Sequence, residues 1–235
     1  MVDSELGPIP KGWAVSTFAD LLDSSGGGDW GTESETEQES CAVHVIRGTD
    51  FIDLERGATL RVPRRFITPY SRTKRLLKSG DILIENSVNA KTRCSGTSLL
   101  ISSAMLRRLG GECIPASFCK LFRLKNPQIA SILLLHVKRL HREGGMAFYQ
   151  NVAANGIANF QATRFVESER IALPNHPTEL ARMSEALELL TSSNPADRIH
   201  NLRTTRDLLL AKLISGEISV DAANEVAAEL VEQTA

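Results

Sequence analysis

Leu77-Lys78-Ser79-Gly80-Asp81-Ile82-Leu83-Ile84 sets a short apolar, β-branched run directly behind a Gly-Asp turn. A run of that length bounded by turn formers reads as a β-strand, here over Asp81–Ile84. Three further stretches have the same build: Val43–Ile46, Ser98–Ile101 and Lys120–Leu124. Between them lie two basic, turn-rich connections, Arg61 to Lys78 and Asn86 to Gly96.

The second half of the chain changes period. Asn126-Pro127 offers an N-cap followed by a first-turn proline, and Ile129, Ile132, Leu133, Val137 and Leu140 follow at helical spacing up to Gly144-Gly145. His176-Pro177 opens a second helix with Leu180, Met183, Leu187 and Leu190. Asn194-Pro195 opens a third with Ile199, Leu202, Leu209 and Leu213, where Arg206 fills the remaining seam position. Spacings of three and four suit a helix-pairing seam, although Ser192-Ser193-Asn194-Pro195 breaks any single heptad phase. These helices therefore read either as a dimer or partner interface or as packing on their own domain. A short acidic, Ala-rich helix is expected after Gly216.

The fold class expected is α+β, with a mixed domain over residues 1–174, a helical region over 175–218 forming an antiparallel, coiled-coil-like spacer, and a terminal helix or tail over 219–235. No apolar run approaches the roughly 20 residues that cross a bilayer, and Asp3, Glu5, Pro8 and Pro10 interrupt any signal-like start. A cytoplasmic address with no membrane partner is expected. Cys41, Cys94, Cys113 and Cys119 form no CxxC pair, and His136 and His141 are five apart, so no metal site is expected.

A net charge of −1 conceals strong segregation. Residues 1–40 hold nine acidic side chains against Lys11 alone. Residues 41–170 hold 21 Lys/Arg against nine Asp/Glu, a net of +12, which is the distribution expected where phosphates are met. The acidic 24–40 loop is expected to face solvent or a partner, or to be disordered. Were it to lie over the basic surface, it would compete with phosphates for that surface. Gly26-Gly27-Gly28 reads as a flexible loop, because no strong strand precedes it and a cofactor-binding glycine loop needs one. Neither Thr68-Pro69-Tyr70 nor Asn194-Pro195-Ala196 has the Asn/Asp-Pro-Pro-aromatic form of an adenine methyltransferase, and no GxxxxGK[ST] occurs. The chain is expected not to be an enzyme.

Taken in order, these segments resemble one family. Gly7-Pro8-Ile9-Pro10-Lys11-Gly12-Trp13, then Val15–Leu21, is similar to the opening of a type I restriction-modification specificity-subunit recognition domain. Val45-Ile46-Arg47-Gly48-Thr49-Asp50-Phe51 resembles its strand-and-turn, and Leu77–Ile84 its glycine-aspartate strand. Ala116–Arg123, Asn155–Phe160 and Ile171–Pro174 resemble the elements that follow. Asn201-Leu202-Arg203-Thr204-Thr205-Arg206-Asp207-Leu208-Leu209-Leu210-Ala211-Lys212-Leu213-Ile214-Ser215-Gly216-Glu217-Ile218 resembles the family's conserved C-terminal helix most specifically. A full-length member carries two recognition domains and two helical regions, whereas this chain resembles one of each. Its acidic loop, Asn175-His176-Pro177 and Pro195 depart from the pattern.

The resemblance implies a sequence-specific DNA-binding subunit that directs a partner adenine methyltransferase (M) subunit, and a restriction (R) subunit where there is one, to a bipartite site on double-stranded DNA. S-adenosylmethionine is then expected on the M subunit and no cofactor on this chain. One recognition domain per chain implies a homodimer through the C-terminal helices. Asn194–Ile214, about 21 residues or roughly 30 Å of helix, would then act as a ruler near one DNA turn of about 34–36 Å.

DNA-binding candidates fall in two basic loops. Arg61, Arg64, Arg65, Tyr70, Ser71, Arg72, Lys74 and Arg75 form the first, expected mainly on phosphate. Asn86, Ser87, Asn89, Lys91 and Arg93 form the second, expected to read bases because it follows the glycine-aspartate strand. Asn155 and Asn159 read as turn formers, and Arg47 as a structural partner of Asp50 or Asp53. Two alternatives stand: a specificity-like subunit of another methylation-based phage-defence complex, and a helical interaction scaffold that does not bind DNA.

Overall fold

The computed structural model describes residues 1–59, 61–89 and 95–192, together with Arg206, Asp207 and Leu210. Contacts divide the chain into a unit over Met1–Ser192 and a second over Ser193–Ala235. The expected third helix, with Ile199, Leu202, Leu209 and Leu213, and the tail after Gly216 lie outside the described residues.

The first unit begins with β1 (Trp13–Thr17), α1 (Phe18–Leu21), β2 (Leu22–Gly27), β3 (Cys41–Ile46), α2 (Phe51–Glu55) and β4 (Arg64–Ile67). It continues with α3 (Pro69–Arg75), β5 (Ile82–Glu85), β6 (Ser87–Asn89), β7 (Ser98–Leu100), α4 (Ser103–Leu109), β8 (Cys113–Pro115) and β9 (Cys119–Leu124). It closes with α5 (Ala130–Arg142), β10 (Gln150–Val152), β11 (Ile157–Phe160), α6 (Ala162–Ser168), β12 (Arg170–Pro174) and α7 (Pro177–Ser192). Helices and sheets are thus mixed throughout.

The four apolar runs became β3, β5, β7 and β9. Three of them form the central antiparallel sheet, ordered β2-β9-β5-β7. Its side chains alternate between two cores. Ile82, Ile84, Phe122 and Leu124 enter one core with α5, Phe18 and Phe165. Leu83, Leu99, Leu121 and Cys119 enter the other with β3, Phe51 and Met105. Burial on both faces explains why β5 is apolar at consecutive positions instead of every second one.

The Gly80-Asp81 turn ahead of β5 is over-determined. Gly80 has φ +91°, and a Cβ there would lie 2.7 Å from Pro127 Cβ. Asp81 is buried, accepts the Lys78 N–H at 2.7 Å and takes both guanidinium arms of Arg123 at 2.9 and 2.7 Å. Arg123 also donates to the Leu76 carbonyl, which fixes the approach to the strand.

Two expectations change. Gly26 and Gly27 belong to edge strand β2, pairing with Leu121 and Lys120, and are not a loop. The neighbouring Gly28 would put a Cβ 2.1 Å from the Ala116 carbonyl oxygen, so close backbone approach accounts for a glycine there. The connection over 61–78 holds β4 and α3, the latter capped by Thr68, whose hydroxyl accepts the Ser71 N–H at 3.1 Å, with Pro69 in its first turn. The three-stranded sheet β4-β3-β8 pairs β3 with β8 in parallel.

Asn126 caps the turn that leads into α5, and Gly144, at φ +80°, ends the segment. β1 and β12 pair antiparallel from Trp13↔Pro174 to Thr17↔Arg170. β12 ends at Pro174. Beyond it, α7 folds back: Leu180, Met183 and Leu187 are half-buried against the core that holds α5. Among the described residues, no helix is long and apolar enough to cross a membrane, and no group of three or more His, Cys, Asp or Glu could hold a metal ion. Burial pushes the Cys113 and Cys119 thiols up to about 12.

Candidate nucleic-acid interface

The first basic segment is presented by a strand and a helix, which sort its residues. On α3, Tyr70 and Lys74 share one exposed face, with the Lys74 ammonium 6.0 Å from the ring centre. Ser71 and Arg75 share the adjoining, inward face. Ser71 is buried and its hydroxyl donates to Asp29, while Arg75 donates to Ser71 Oγ and to the Gly27 carbonyl at 3.1 Å each. Burial would raise the Asp29 carboxyl, but hydrogen bonds from Ser71, Gly31 and Trp30 outweigh it and hold Asp29 below its ordinary value.

Arg72 forms a two-armed pair with Glu112, and the same hydrogen bonds hold Glu112 low. On β4, Arg65 pairs with Glu33 at 2.7 Å, and its guanidinium lies 4.6 Å from the Trp30 ring centre. Arg64 is exposed. Arg61 is exposed too, with only a loose 3.9 Å approach to Asp53. Arg47 instead takes Asp50, through two bonds of 3.0 and 2.7 Å.

The acidic loop thus lies on the basic segment. Its stem is stitched down by paired bonds between Thr32 and Phe66, at 2.9 and 3.0 Å, and by the Asp29 N–H on the Pro115 carbonyl. Glu35 and Glu37 remain exposed. Arg65, Ser71, Arg72 and Arg75 are engaged inside the fold. Arg61, Arg64, Tyr70 and Lys74 are the members of this set presented outward.

The second segment is a strand, not a loop, over Ser87–Asn89. β6 pairs with β11, which pairs in turn with β10. Asn86 donates from Nδ2 to Ser87 Oγ at 3.1 Å, and Ser87 donates to Asn159 Oδ1 at 2.7 Å. Asn159 is therefore a strand residue tied into this relay, whereas Asn155 does form a turn, its side chain accepting the Ile157 N–H at 3.1 Å. Lys91 and Arg93 lie outside the described residues.

A cleft of about 750 Å³ opens beside Asn86, lined also by Lys120, Gln161, Thr163 and Arg164. The sequence reading singles out none of these four for DNA. Lys120 is hidden as a polar position within a strand, and Gln161–Arg164 carry no motif; only the basic character of residues 41–170 points toward them.

Of the proposed helical seam, Leu180, Met183 and Leu187 face the first unit's own core. The side chain of Leu190 lies outside the described residues, and Arg206 is exposed and bonded to Asp207.

No protein-family model matches this sequence, and no curated protein does either. Solved structures do match. The S subunit of the type I restriction-modification system from M. genitalium aligns over 86% of this chain and 46% of its own, with a TM-score of 0.52 at 14% identity. A chain from a structural study of complex assembly and conformational transition in the type I R-M system aligns over 84% of this chain and 43% of its own, with a TM-score of 0.51 at 18% identity. The chain has the type I S-subunit fold. The aligned part covers somewhat under half of each of those two chains.

Proposed function

We propose that this chain is a non-catalytic, sequence-specific DNA-binding specificity subunit that guides a partner adenine methyltransferase to a bipartite site. The observation that carries this reading is the S-subunit fold extending over most of the chain at about half the neighbours' length. The basic charge of residues 41–170 and the outward set Arg61, Arg64, Tyr70 and Lys74 agree with it.

The chain works as a homodimer in the cytoplasm, each copy contributing one recognition domain. Of the interface set Leu180, Met183, Leu187, Leu190, Ile199, Leu202, Arg206, Leu209 and Leu213, the first three also pack against the core, and the remaining six carry the proposed seam. S-adenosylmethionine belongs to the M subunit; an R subunit joins where the system cuts DNA. Single-molecule methylation mapping in a host carrying this chain and its methyltransferase tests the reading. A split palindromic methyladenine motif that vanishes when this chain is removed is expected. Methylation that is unaffected by its removal would overturn it.

A further inference from the structure

Beside Asn86 the surface combines cations without carboxylate partners among the described residues, side-chain amides and exposed rings in one concavity. Lys120 is half-buried on the cleft wall and makes no ion pair among the described residues. Arg164 has no carboxylate partner there either. Its guanidinium lies 4.0 Å from the centre of the exposed Phe148 ring and donates to Gln161 Oε1 at 3.2 Å. That bond leaves the Gln161 NH₂ group able to donate outward. Glu167 is the one acidic side chain lining the cleft among the described residues, while Arg170 is engaged with Glu5 and the Glu167 carbonyl.

The wall also holds an unmet demand. Asn86 Oδ1 is shielded from water and accepts no hydrogen bond, although its Nδ2 is committed to Ser87. A buried acceptor without a donor is costly, and a small rotation of the Asn86 side chain would offer it to a group entering the cleft. The Asn86 main-chain N–H binds the Phe118 carbonyl at 2.7 Å, which brings a second exposed aromatic residue next to the site. The contrast with α3 and β4 is direct: Arg65 and Arg72 already have carboxylates, whereas Lys120 and Arg164 have none among the described residues.

We propose that this cleft is a specificity-determining DNA contact, in which Lys120 and Arg164 hold backbone phosphates while Asn86 and Gln161 present amides to a base edge. The chemistry fits. Ammonium and guanidinium groups position phosphate, and Asn or Gln amides pair bidentately with adenine or singly with other bases. This assignment rests on the DNA-recognition reading above.

The test uses the full chain and two probes: a 40-base-pair duplex of random sequence for salt titration, and sequences enriched from a random duplex library. Lys120→Ala and Arg164→Ala are each expected to flatten the salt slope by about one, with Arg164→Lys restoring it. Asn86→Ala and Gln161→Ala are expected to keep the slope and to lose about five- to hundredfold of preference for the enriched sequences. Unchanged melting temperatures show that the variants fold. Wild-type slope and preference in all four alanine variants would overturn the cleft assignment alone. A wild-type chain without salt-dependent duplex binding would overturn the recognition reading itself.

Discussion

Glu33 reaches across from the acidic loop to Arg65 at 2.7 Å, neutralising a guanidinium whose own side chain is only 14% exposed. The acidic stretch and the basic stretch of the sequence thus meet in the fold. If DNA uses β4, Glu33→Gln should tighten binding about two- to fivefold at low salt and steepen the salt slope by about one, the pair being worth at most about 1 kcal/mol. Anisotropy titrations across ionic strength measure this. An unchanged slope would assign Arg65 to structure alone.

Gly80 combines a left-handed backbone with a neighbour too close for a side chain. Gly80→Ala should cost about 1–3 kcal/mol in urea unfolding through strain at this turn. A loss below about 0.5 kcal/mol would refute strain at this turn.

Arg123→Ala strands the Asp81 carboxylate, whose side chain is 3% exposed, with the Lys78 N–H as its remaining bond among those described. Breaking a buried pair from one side costs about 3–5 kcal/mol. The partial exposure of Arg123 places the expectation at about 3 kcal/mol, read by chemical denaturation.

Glu169 accepts from His136 at 2.7 Å and from the Tyr149 hydroxyl. Burial would raise its carboxyl, but these two bonds outweigh burial and hold it below the ordinary value of 4.5. The folded state therefore binds this proton less readily than the unfolded chain. The resulting stability is present above about pH 4.5 and is lost as pH falls through the lowered value. Tyr149 mirrors this on the alkaline side, pushed up to about 12 by burial and then by Glu169, so that stability falls as pH climbs from about 10 toward 12. Glu169→Gln should flatten the acid limb of a melting-temperature profile. An identical limb in the variant would refute the linkage.

Leu180→Ala should cost the protein about 1–2 kcal/mol, since Leu180 is half-buried in the α5 core, and leave the assembly mass unchanged. If the proposed homodimer forms, Leu209→Glu should halve the mass measured by light scattering. Halving by Leu180→Ala would instead put the dimer seam on α7.

The doubly buried strands were legible because consecutive apolar residues between turn formers have few alternatives. β5 and β9 appear in the sequence nearly at their structural bounds. The short edge strands were not. β2 ends in glycines and β6 is Ser-Val-Asn, so neither shows alternation long enough to separate strand from loop. Composition found the basic region, yet it could not tell Arg65 from Lys120. That distinction depends on which carboxylates the fold brings alongside, and Glu33 and Glu112 come from distant segments.

The β1–β12 pairing sets Trp13 against Pro174, and the Asn175 N–H binds the Gly12 carbonyl at 2.8 Å. Adjacent strands lie about 5 Å apart, so both connections to the rest of the chain leave through one doorway. The two ends of the sheet-bearing part, just before β1 and just after β12, therefore sit side by side. By the same geometry, a short bridge could join the paired ends and new termini could be cut at the exposed turn over Ala153–Asn155, giving a permuted chain with all four sheets intact.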